Sequence, residues 1–121
     1  MKNTANKKRK TREEQNRALF FCAGEQVQRI KMLTALTIST GTEYIISKDR
    51  HEKMEHEFKR IDFEIQEAME FLKKFAADLL VEDDILEAGL DMLRLEQTYL
   101  SLVKEDYEQM IQEIENSGKS E

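Results

Sequence analysis

The sequence predicts an all-α fold, a three-helix bundle built on a long antiparallel helical hairpin. Three observations predict it. Apolar residues recur at Met54, Phe58, Ile61, Ile65, Ala68, Leu72, Phe75 and Leu79, and again at Leu86, Leu90, Leu93, Leu100, Val103, Tyr107, Ile111 and Ile114. Steps of three and four keep one face of a 3.6-residue helix apolar over many turns. The two stripes are joined by only a few residues around Val81 to Asp84, and a connection that short makes neighbouring helices antiparallel. Finally, the 121 residues include no proline and only four glycines, so little interrupts a helix.

Each element has its own local signals. Residues 1–11 are polar and cationic, without large apolar groups, and read as a disordered tail. Thr11 and Glu14 have the spacing of a capping box, which starts a first helix over about 12–37. Its buried stripe is expected at Leu19 or Phe20, Ala23, Val27, Ile30, Leu33 and Thr37. The segment 36–47, LTISTGTEYIIS, is dense in β-branched residues around Gly41. Two readings stay open there. One is a short β-hairpin turning at Thr40-Gly41. The other, favoured because a lone two-stranded hairpin is marginal, is a loop at Gly41 with Thr40 and Glu43 capping the next helix.

Asp49 with Glu52 marks a second N-terminus, so the second helix is expected over about 50–80. Asp83 and Asp84 stand where acids stabilise a helix start, and Asp84 with Glu87 forms another box; the third helix is expected over about 84–115. Asn116, Ser117 and Gly118 supply its stop, leaving 117–121 as a disordered end. Residues 12–116 thus form a single helical domain. Phe63, Met69, Phe71 and Ala76 widen the apolar face of the second helix; Met92, Leu95, Tyr99, Leu102 and Met110 widen that of the third. Faces broader than a two-helix seam are expected to meet a first helix and also another copy or a partner.

Charge is divided unevenly. Residues 1–12 carry Lys2, Lys7, Lys8, Arg9, Lys10 and Arg12 and no acid, whereas the whole chain has a net charge of −6. From Glu82 onward there are 12 acids and 3 bases. A basic tail on an acidic body gives two electrostatic faces. The tail candidates Lys7, Lys8, Arg9, Lys10 and Arg12 could contact phosphate backbones through salt-sensitive pairing, without the aromatics of a stacking platform. The single cysteine, Cys22, excludes an internal disulfide and reads as a buried, inert thiol of a reducing compartment. The N-terminal residues lack the apolar core of a signal peptide, and no run is long enough to span a bilayer. A cytoplasmic protein without membrane contact is the expectation.

Catalytic motifs are absent: there is no glycine-rich phosphate loop, serine-hydrolase elbow or CxxC pair. The segment HEKMEH gathers His51, Glu52, Glu55 and His56. Its histidines are five apart, where zinc proteases need four. Neither glutamate stands three residues before His56, as a di-iron bundle requires. No metal or cofactor is expected. Arg50 and His56, separated by five residues, resemble the arginine–histidine pair of HEPN-type ribonucleases, which are small helical bundles. That resemblance covers two residues. It implies a dimer cleft in which the histidine assists attack by a ribose 2′-hydroxyl.

Three functional expectations are ranked. The first is a non-enzymatic protein–protein interaction module, a regulatory or adaptor subunit, expected to be a homodimer and to dock a partner with a basic surface. Its candidate residues are Met92, Leu95, Tyr99, Leu102, Glu105, Glu108 and Glu113. The second is a nucleic-acid accessory factor working through the tail. The third is the HEPN-like ribonuclease or a metal-binding bundle using Arg50, His51 and His56. Small size, no proline and a Lys/Glu-rich makeup suit a phage or mobile-element protein.

Overall fold

The structure, a computed structural model, describes residues 11–45 and 47–120. It is the expected three-helix bundle: α1 (Arg12–Ile45), α2 (Arg50–Asp78) and α3 (Asp83–Ser120), with each helix packed against both others. The chain runs up, down and up. Arg12 at the start of α1 meets Asp84 at the start of α3, and Tyr107 in the second half of α3 meets Thr37 and Ile38 in the second half of α1, so α1 and α3 are parallel.

The apolar stripes converge on one core. Met54, Phe58, Ile61, Ile65, Ala68 and Leu72 of α2 are buried together with Leu90, Leu93, Leu100, Val103, Tyr107 and Ile111 of α3 and Leu19, Ala23 and Ile30 of α1. Phe58 and Tyr107 meet as tilted rings with centroids 5.9 Å apart. Met69 and Ala76, expected only to flank the stripe, are also buried. Removing such side chains from water is the main source of stability in a bundle of this size.

The Thr11–Glu14 capping box forms reciprocally: Thr11 N–H donates to Glu14 Oε1 at 2.9 Å, and Glu14 N–H donates to Thr11 Oγ1 at 3.2 Å. Each end thereby satisfies a backbone donor that the helix leaves orphaned. Asp49 does precede α2, but its carboxylate makes no cap bond; it accepts from the Ser47 hydroxyl and lies 3.5 Å from Lys53 Nζ. The Asp84–Glu87 box is also replaced. Helix α3 starts one residue earlier, at Asp83, so Asp84 falls inside the first turn. Arg12 then takes the Asp84 carboxylate at 2.7 Å, and Arg94 takes Glu87 at 2.9 Å.

The segment 36–47 is the largest departure from expectation. Neither a β-hairpin nor a loop at Gly41 forms: α1 continues through Gly41 to Ile45. Two features override the local propensity. Thr34 and Thr40 turn their hydroxyls back onto the carbonyls of Ile30 and Leu36, each at 3.0 Å, so their polar atoms are satisfied inside the helix. Gly41 is a packing glycine: a Cβ there would fall on the Tyr107 phenol. The Tyr107 hydroxyl donates to the carbonyls of Ile38 at 2.7 Å and Thr37 at 3.3 Å. Similarly, α3 continues through Asn116, Ser117 and Gly118 to Ser120.

The α2–α3 connection closes as a Schellman motif. Val81 N–H donates to Ala76 O at 2.8 Å and Leu80 N–H to Ala77 O at 3.2 Å, with Leu80 in the left-handed region at φ 56°. Its position is the one usually given to glycine. The buried Gln15 side chain fastens this turn to α1, its Oε1 accepting from Glu82 N–H at 2.9 Å.

Candidate docking surface

Helix α3 is half in and half out. Leu93, Leu100, Val103 and Tyr107 face the core, whereas Leu95, Tyr99 and Leu102 are 68%, 48% and 54% exposed. Steps of four and three place these three on one outer stripe, and Met110 and Ile114, also exposed, continue it. Met92, proposed from sequence for the same patch, is partly buried and packs against the core edge. Glu105 and Glu113 are exposed on α3. Glu108 is exposed too, but on the opposite flank, where α3 meets α2.

Beside the ridge, α1 and α3 leave a groove of about 460 Å³ lined by Lys31, Ala35, Ile38, Glu96 and Tyr99. Ile38 adds an exposed apolar side chain to its α1 wall. Glu96 is the unexpected member, a carboxylic acid only 8% exposed. Its Oε1 has no hydrogen-bond partner among the described residues. Burial pushes the Glu96 carboxyl above the usual carboxylate range, and the Lys31 charge pulls it partly back. Lys31 acts on Glu96 through its charge alone, with no hydrogen bond to it among the described residues.

The sequence contained a signal for Glu96. The α3 stripe steps from Leu93 to Leu100, an interval of seven, and Glu96 fills the missing position. An acid on the buried face of a helix is costly unless it has a partner.

The HEKMEH residues part company. His51 Nε2 lies 2.9 Å from Glu115 Oε1, and Arg50 approaches the same carboxylate at 3.7 Å while donating to Ser47 O at 2.8 Å. His56 lies elsewhere, beside Asp49, Glu52, Lys53 and Glu57. Within the chain, Arg50 and His56 thus keep different neighbours. No group of three or more His, Cys, Asp or Glu that could hold a metal occurs among the described residues.

Cys22 is buried, and burial first, then Glu25, raise its thiol pKa. Both effects suppress the reactive thiolate. Of the tail candidates, Lys7, Lys8, Arg9 and Lys10 lie outside the described residues. Arg12 is engaged internally by Glu82 and Asp84, and its guanidinium holds the Asp84 carboxyl below the usual range. Among the described residues no helix is long and apolar enough to cross a membrane. The chain matches no family model, no curated protein and no solved structure.

Proposed function

We propose that this chain is a non-enzymatic docking module, a regulatory or adaptor subunit that binds another protein along the α3 ridge and the adjoining α1/α3 groove. The observation that carries the reading is the stripe of Leu95, Tyr99 and Leu102, left in water by a bundle that buries Leu90, Leu93, Leu100, Val103, Tyr107 and Ile111 of the same helix; Ile114, expected in the buried stripe, is exposed as well. Contiguous apolar surface beside polar residues is characteristic of interaction sites. Tyrosine at its centre suits a contact that is apolar over the ring and polar at the hydroxyl.

Charge selects the kind of partner. From Glu82 onward acids outnumber bases 12 to 3, and Glu105 and Glu113 are exposed on this helix. Two such helices brought face to face would repel, whereas a basic partner would be steered in; complementary charge chiefly raises the association rate and is screened by salt.

The test is purification of a tagged chain from the cells that make it, beside the Leu95→Glu/Leu102→Glu variant. These side chains lie off the core, so circular dichroism and melting should be retained. A companion protein present in equal amount with the wild type and lost from the variant is the expected result. A companion kept equally by both would place docking elsewhere.

A further inference from the structure

The α1/α3 groove combines features that an apolar seat alone does not need. Its lining combines Ala35 and Ile38 on α1 and Tyr99 on α3 with Glu96, more than nine-tenths buried. One carboxylate oxygen of Glu96 is buried and has no hydrogen-bond donor among the described residues. A carboxylate held this way loses hydration, offset here only by the nearby Lys31 charge, and a buried acid is normally paired. Lys31 lines the same groove without making that pair. It is exposed, so its ammonium can remain in water while its stem covers apolar surface.

We propose that this groove receives a basic side chain, a guanidinium or ammonium borne by a helix of a partner protein, with Glu96 as its counter-ion. This rests on the docking reading above and names the chemistry of its centre. Glu96 supplies a charge-assisted acceptor, the strongest kind of hydrogen-bond partner for a guanidinium. Tyr99 supplies an aromatic wall for the cation. Ala35 and Ile38 receive the aliphatic stem, and Leu95 and Leu102 receive the apolar residues flanking the base on the incoming helix. A second copy of this chain is a poorer occupant, because its α3 would bring acids to the site.

Two synthetic helical peptides test the inference. Both are built of leucine and alanine; one carries a single central arginine, and the other carries citrulline there, an uncharged side chain of nearly the same shape. Binding is followed through the backbone amide resonances of residues 31–38 and 95–102. With the wild type, the arginine peptide should bind at least tenfold more tightly than the citrulline peptide. In Glu96→Gln, which keeps the size of the side chain, that ratio should fall close to one; in Lys31→Met, where the competing cation is gone, it should rise. Because the ratio is taken within each variant, a general loss of affinity does not imitate the result. Equal binding of the two peptides by the wild type overturns the basic-side-chain inference and leaves the docking reading standing. Failure of both peptides to bind overturns both. Concentration-dependent broadening of the same resonances without peptide would give the groove to a second copy and also overturns the inference.

Discussion

The two flanks of α3 show what distinguishes a settled surface from an unsettled one. Where α3 meets α2, a groove of about 240 Å³ is lined by His51, Glu55, Lys104 and Glu108 above Met54, Phe58 and Ile111. Its charged and polar groups are all exposed, and two of them have close partners: His51 meets Glu115 at 2.9 Å and Glu55 meets Lys59 at 3.1 Å. Where α3 meets α1, the lining is mostly apolar, and one oxygen of its acid is buried without a donor among the described residues. Exposed ion pairs contribute little to stability and ask nothing of a partner. A buried carboxylate without a hydrogen-bond donor beside an exposed apolar ridge is the combination on which the docking proposal rests. The difference argues that the α1 flank is the working side of α3.

Two leucines, two residues apart, sharpen the comparison most strongly. Leu100 is 6% exposed and lies within the core, whereas Leu102 stands on the ridge. Leu100→Ala should cost about 2–5 kcal/mol. Leu102→Ala should change stability by no more than about 0.5 kcal/mol, the usual size of a surface effect. Denaturant unfolding measures both, and similar losses would mean that the ridge is part of the core.

Two glycines of α1 give the next contrast. A Cβ at Gly41 would strike the Tyr107 ring, whereas one at Gly24 would meet nothing within 4 Å. Gly41→Ala should lose about 1–3 kcal/mol through overpacking. Gly24→Ala should gain up to about 1 kcal/mol from helix propensity. A stabilising Gly41→Ala would mean that the helix does not run against Tyr107 as described.

The smallest effect belongs to Glu96. Burial raises its carboxyl pKa in the folded state, opposed by Lys31, so folding favours the protonated form. Ionisation at neutral pH therefore costs stability, and the cost is relieved as pH falls through the raised value toward the ordinary carboxylate range. Glu96→Gln should melt above the wild type at pH 7, with a gap that narrows on acidification. A gap that stays constant with pH would mean that the Glu96 carboxylate is not desolvated.

Most of the fold was legible because it rests on periodicity. The stripes through Ile61, Ile65 and Leu72 and through Leu93, Leu100 and Tyr107 dictate which faces are buried, and all six residues are buried. What local signals could not give were effects decided by distant partners. Gly41 reads as a turn until Tyr107, 66 positions along the chain, occupies the space beside it. Asp49 and Asp84 stand near helix starts, yet Ser47 and Arg12 claim their carboxylates. The ridge of Leu95, Tyr99 and Leu102 was visible as a surplus of apolar positions. Glu96 was marked only by its place in the gap between Leu93 and Leu100; its lack of a hydrogen-bond donor depends on what α1 brings beside it.

Site-specific photo-crosslinking in the cells that make the protein tests the central claim most directly. A benzophenone amino acid replaces Leu102 on the α3 ridge in one variant and Phe71, a comparably exposed apolar residue on α2, in another. A working α3 ridge should give a discrete protein adduct from position 102 and none from position 71. Adducts of equal yield from both positions, or from position 71 alone, would contradict it.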